Sequence, residues 1–153
     1  MAHVGFRVVH HHGAGFLDDL HFGSVHTVSY THLDVYKRQA QGCDLYFCEA
    51  VLALRERYQE VTVEAAIPCP TQADAWPEAE RDRYRELVAR CDMETMVSDT
   101  YSSTCMQRRD RYMVDHAMLL IAAFDGTAGG TRYTVEYALR RGIEIVDVSI
   151  PTE

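Results

Sequence analysis

The string "AMLLIAAF", residues 117–124, is apolar without a break, and it runs straight into "DGTAGGT" (residues 125–131) and then into helical periodicity. A run this short and this apolar suits a strand covered on both faces, and residues 118–124 are read as one. Glycine lets the chain turn directly from strand to helix, because it tolerates backbone angles that other residues avoid. A strand, a glycine loop and a helix in immediate succession point to a parallel α/β unit. Parallel neighbours are reached through a crossover helix, whereas antiparallel ones need only a hairpin.

The same alternation extends upstream and downstream. Asp44 is placed to cap a helix reaching about residue 58, with Leu45, Cys48, Val51 and Leu52 on one face. Residues 61–67 read as a short strand stopped by Pro68 and Pro70. Pro77 suits the first turn of a second helix, whose apolar face is Tyr84, Leu87, Val88 and Cys91. Residues 93–97 form a weaker strand, and "TCMQ" from Thr104 to Gln107 reads as a capping box for a helix ending near Asp115. Residues 131–141 make a last helix ended by Gly142, before a final strand at 143–148. The expected fold class is therefore α/β: a parallel sheet with helices on both faces. It is truncated at its first strand or strands, because a strand, and with it a strand–helix–strand, should precede the helix at Asp44.

Composition shifts near Ala40. Seven of the eight histidines and the single lysine, Lys37, lie in residues 1–39, where three acids balance three bases. The net charge of −8 therefore resides in residues 40–153. The string "VSYTHLDVYKRQ" (residues 28–39) looks like an assembly scar of translated environmental sequence. Residues 1–39 are accordingly read as a non-native segment and residues 40–153 as the domain. Three adjacent histidines, His10, His11 and His12, fall in the set-aside segment, and no metal site is assigned to them.

At 153 residues the chain suits one compact core. The eight-residue apolar run is far short of the ~20 residues of a membrane-spanning helix, and no secretory pattern opens the chain, so a cytosolic location is expected. Five cysteines without a CxxC pair argue against a disulfide framework or zinc ribbon and for reduced thiols. The acidic balance disfavours direct binding to nucleic acid.

In a parallel sheet, strand-to-helix loops gather at the carboxyl edge, where ligands usually bind. Three such loops stand out: "PCPTQADAW" (68–76), "SDTYSSTCMQRRDR" (98–111) and "DGTAGGT" (125–131). In the third, Gly129 and Gly130 allow an anion to approach the backbone, and Thr131 offers a hydroxyl beside the free amides of the helix start. Thr134 lies one turn on, on the same side. A plain strand–helix turn would use the same glycines for geometry alone. Arg108, Arg109 and Arg111 can supply planar donors to phosphate or carboxylate, though for any single arginine a solvated face paired with Asp110 and Asp115 is the commoner role. Trp76 could stack on a base or simply pack.

The segments "GCDLYFCEAVLALRERY", "PCPTQADAW", "CMQRRDRYMVDH" and "LLIAAFDGTAGGTRYTVEYALRRGIEI" together resemble the YpsA-type proteins of the SLOG superfamily, relatives of the LOG and DNA-processing protein A families. The resemblance covers almost all of residues 40–153 in order and implies a Rossmann-like fold that binds nucleotides or nucleotide-derived ligands. It assigns Gly42, Asp44 and Glu49 to a first patch, and Gln72 and Trp76 to a second. Arg109 and Tyr112 belong to a third, and Gly129, Gly130, Thr131 and Thr134 to a fourth. Asp110 stands where the family commonly has Asn.

The resemblance implies a ligand-sensing module with phosphate at Gly129, Gly130 and Thr131. Arg109 would be a second clamp, and Gln72 or Asp44 would orient sugar or base. No cofactor is expected, though a nucleotide-like ligand is compatible, with no metal and no membrane, while a protein partner or homo-oligomer stays open. No nucleophile–base pair stands out, so a non-enzymatic role is favoured. The alternative is a LOG-like phosphoribohydrolase, an N-glycosidic hydrolase acting on a nucleoside monophosphate. Its "PGGxGTxxE" signature would make Glu136 catalytic, but Ala128 and Arg132 depart from that pattern.

Overall fold

The computed structural model describes residues 5–9, 35–59, 61–124, 126 and 128–148. His10, His11, His12, residues 28–34, Asp125 and Thr127 lie outside the described residues. In chain order the elements are β1 (Gly5–Val9), α1 (Val35–Leu54), β2 (Thr62–Ile67), α2 (Glu78–Ala89), β3 (Met93–Met96), α3 (Cys105–Asp115), β4 (Leu119–Ala122), α4 (Gly130–Arg141) and β5 (Glu144–Asp147). From α1 onward, helix and strand alternate as the sequence patterns require, and the fold is a Rossmann-like α/β arrangement.

β2 lies between β1 and β3 in one sheet, while β4 and β5 pair in another. β2 and β3 are parallel, as are β4 and β5, each pair joined through a helix. β1 differs. It runs antiparallel to β2, from Gly5 opposite Ala66 to Val9 opposite Thr62. Antiparallel pairing needs no crossover helix, so "GFRVV" can close the edge of β2 directly. Where one parallel sheet was expected, the described strands form two sheets, one of them mixed.

β2 is buried almost throughout, and its Val63 and Ala65 join Leu45, Cys48, Val51 and Leu52 of α1 and Tyr84 and Leu87 of α2 in the core. Fully burying a Leu or Val side chain contributes about 1.5–3 kcal/mol. The α1 face expected from spacing is therefore the core face. β4 is less covered than its unbroken apolarity implied. Only Ala122 is buried along it, and Met118 just before it is 91% exposed. Its described strand neighbour is β5 alone, and α4 is the helix packed against both.

Helix ends bring two corrections. Asp44 lies inside α1, nine residues past its start, because Lys37, Arg38, Gln39, Ala40 and Gln41 all favour helix and carry it upstream. Thr104 does precede the first residue of α3, but its hydroxyl makes no capping bond and lies 3.4 Å from Ser102 Oγ. Its ψ of 0° departs from the extended geometry that aims a cap hydroxyl at the free amides. Gly142 behaves as expected. With φ at 70° it adopts the left-handed turn that ends α4, and Gly142 N and Ile143 N donate to Leu139 O and Ala138 O at 3.1 and 3.0 Å.

Candidate functional site

The glycine loop separates two uses of glycine. Gly126 has φ of +84°, where a side chain would strain the turn, so geometry requires glycine there. Gly129 has φ of 167° and ψ of −166°, an extended conformation open to any residue. A Cβ built on it would meet nothing within 4 Å among the described residues. Neither backbone angle nor packing explains glycine at 129. What the missing side chain leaves is open space over the start of α4, where no side chain caps the helix. Gly130 is exposed, Thr131 half-buried, and the first-turn amides carry the positive end of the helix dipole.

α3 packs beside α4 and brings the second loop to the same region. Arg109 is 1% exposed, with its Nε 2.9 Å from Asp110 Oδ1. That approach is off the N–H direction, so Nε and Nη2 have no hydrogen-bond partner among the described residues. Asp110 offsets the charge of this buried guanidinium, while Nη2 is left without an acceptor among the described residues. Asp110 is buried too. Burial raises its carboxyl above the ordinary 3.8, against the lowering effect of Arg109. The Thr134 hydroxyl donates to Gly130 O at 3.0 Å, one turn back in α4, so its proton is spent on its own helix.

The first loop supplies a second unmatched group. Three backbone bonds fold residues 69–76 into successive turns: Gln72 N to Cys69 O, Asp74 N to Thr71 O and Trp76 N to Ala73 O. Gln72 is buried in these turns, and neither its Oε1 nor its Nε2 has a partner among the described residues. Trp76 is committed to the core, its ring edge-on to Tyr84 at 5.4 Å. It is therefore packed and presents no face for stacking a base. Cys69 Sγ touches Cys105 Sγ at 3.8 Å, which ties this loop to the first turn of α3.

The remaining expected residues lie elsewhere. Glu49 accepts two bonds from Arg83, at 2.8 and 2.7 Å, and so clamps α1 to α2. This pairing, with Tyr46 beneath the guanidinium at 4.4 Å, raises the Arg83 pKa further. Gly42 and Asp44 sit within α1. Glu136 pairs with Arg132 on the exposed side of α4 at 2.9 Å. Tyr112 donates to Glu64 Oε1 at 2.6 Å, and Thr95 donates to the same oxygen at 2.6 Å. Glu64 is 2% exposed and joins β2, β3 and α3. The sequence reading passed over it, although a lone acid inside "TVEAAI" was a visible signal. A shallow depression of about 300 Å³, lined by Tyr84, Arg85, Val88 and Glu94, lies between α2 and β3, and none of the expected site residues lines it.

The Cys69–Cys105 contact thus ties the first loop to α3, and α3 packs against α4, while Glu49 pairs with Arg83, Trp76 packs on Tyr84 and Glu136 pairs with Arg132. Among the described residues, no cluster of three or more His, Cys, Asp or Glu side chains could hold a metal ion, and no helix is long and apolar enough to cross a membrane. Alternating helices and strands, with parallel pairs joined through helices, define a class of Rossmann-like α/β modules. Within that class the chain belongs to the YspA SLOG family, which matches residues 34–145. It is 26% identical over 111 residues to YoqJ, an uncharacterized SPbeta prophage-derived protein of Bacillus subtilis, covering 65% of each chain. It is 24% identical over 103 residues to a UPF0398 protein of Bacillus velezensis, covering 65% of this chain and 57% of that one. The chain thus spans less than two thirds of the length of either relative.

Proposed function

We propose that this protein binds a nucleotide or nucleotide-derived ligand and acts as a sensing module, not an enzyme. Phosphate rests on the amides of Gly129, Gly130 and Thr131 at the mouth of α4. Arg109, ion-paired through Nε with Asp110, turns Nη2 to a second acidic group of the ligand, and Gln72 reads the sugar or base. Asp44, Glu49, Gly42, Trp76 and Thr134 belong to the supporting frame. The observation that carries this reading is the buried Arg109, with Nε and Nη2 unmatched among the described residues. Asp110 meets this guanidinium only on its Nε side, and a buried N–H without an acceptor is costly until a further group completes it.

Calorimetric titration of the full chain with mono-, di- and cyclic nucleotides, ADP-ribose and inorganic phosphate tests the proposal. At least one nucleotide should bind more tightly than phosphate alone, and Arg109→Gln should weaken it by on the order of ten-fold, the loss of one charged hydrogen bond. The phosphoribohydrolase alternative assigns the chemistry to Glu136. Its carboxylate is paired with Arg132 on an exposed helix face, so AMP should release no adenine. Release that disappears in Glu136→Gln would restore the hydrolase reading.

A further inference from the structure

We propose that Cys69 and Cys105 are an oxidisable pair, which a peroxide converts into an intramolecular disulfide joining the loop after β2 to the first turn of α3. The two sulfurs lie 3.8 Å apart, are fully buried, and are separated by 36 residues in sequence. A disulfide bond is about 2.05 Å long, so its formation needs side-chain rotation and a small approach of the two segments. No spacing motif announces the pair, because only the fold brings the two thiols together.

Access comes from the loop. Cys69 lies between Pro68 and Pro70, neither of which has an N–H to donate, and Pro70, Thr71, Asp74 and Ala75 above it are exposed. Short surface turns of this kind open at lower free energy than the core does. The other thiols in contact, Cys48 and Cys91, are held differently. Cys48 is inside α1, and Cys91 donates to Leu87 O at 3.3 Å at the end of α2. Burial raises the Cys69 pKa, which keeps the thiol protonated and inert until the loop opens.

The chemistry balances with one equivalent of hydrogen peroxide. One thiolate attacks a peroxide oxygen, the O–O bond breaks, and a sulfenic acid forms with release of water. The second sulfur then attacks the sulfenic sulfur and expels hydroxide, which takes up the remaining proton as a second water. Two thiols are oxidised by two electrons, and the peroxide is reduced to two waters. Gln72 lies three residues after Cys69, and Arg109 lies one helical turn after Cys105. Closing the bond therefore moves both groups assigned to the ligand. That consequence rests on the proposed binding function, while the crosslink itself does not.

The test treats the folded full chain with hydrogen peroxide, traps remaining thiols by alkylation, and maps peptides under non-reducing conditions. The expected product joins the Cys69 and Cys105 peptides with loss of two hydrogens, reverts on reduction, and is absent from Cys105→Ala. Circular dichroism of the same samples checks that the oxidised chain is folded. Recovery of Cys69 and Cys105 as separate alkylated or sulfinic peptides, or linked only to Cys48 or Cys91, would overturn the proposal. AMP titration of both forms then reads the consequence: the crosslinked form should bind on the order of ten-fold more weakly. If reduced protein binds no nucleotide, the ligand reading fails, and the peptide map still decides the pair.

Discussion

Asp110 holds a carboxylate that is largely buried, its side chain 10% exposed, and burial disfavours its charged form even with Arg109 beside it. Its folded pKa lies above the unfolded value, so the stability it contributes is fully present below about 3.8 and is lost as pH rises through the folded value. At neutral pH the ionised group is a burden. Asp110→Asn should therefore raise the urea midpoint at about pH 7, and the advantage should shrink as pH falls through the raised folded value toward about 3.8. A variant less stable than the parent at neutral pH would show that the Arg109 pair outweighs desolvation. The sequence displayed Asp110 as an acid among arginines, and solvent exposure was the natural reading. Burial of both partners depends on how α3 meets α4, which no local pattern encodes. Glu64 teaches the same lesson. Its identity was plain, but the hydroxyls that bind it come from Thr95 and Tyr112, 31 and 48 residues away.

The two ends of α4 use glycine for unlike reasons, and substitution should separate them. Gly142 needs its left-handed φ of 70°, so Gly142→Val should destabilise the chain by about 1–3 kcal/mol. Gly129 is extended with open space around it, so Gly129→Val should change stability by less than about 0.5 kcal/mol. Comparing their urea midpoints checks both claims, and equal losses would contradict the assignment. Helix faces were legible from spacing alone, as Leu45, Cys48, Val51 and Leu52 show. Helix starts were not. A cap depends on the backbone angle of one residue, and at Thr104 that angle turns the hydroxyl away. At α1 the residues before Asp44 are good helix formers, and nothing local ends the helix there.

At the scale of the molecule, alternation predicted the α/β class, while strand order and direction came from pairings that sequence does not display. β1 closes one edge of β2 through five antiparallel pairs, Gly5 to Val9. We propose that residues 40–153 nonetheless hold the ligand site, because Gln72, Arg109 and Gly129 all lie there. Deleting residues 1–34 should then lower the urea midpoint by baring the edge of β2, yet leave nucleotide affinity per folded molecule unchanged. Affinity lost from a truncated chain that is still folded would place part of the site upstream. The three loops were expected on the rim of one sheet; the described strands form two, and the Cys69–Cys105 contact ties the first loop to the start of α3.

The most direct measurement is nucleotide titration by calorimetry of the full chain and of Gly129→Val, each first shown to be folded with the same midpoint. The account predicts saturable binding to the parent and at least about ten-fold weaker binding to the valine variant, whose side chain fills the mouth of α4 without disturbing the fold. Equal affinity in the two proteins, or no heat from any nucleotide, would contradict it.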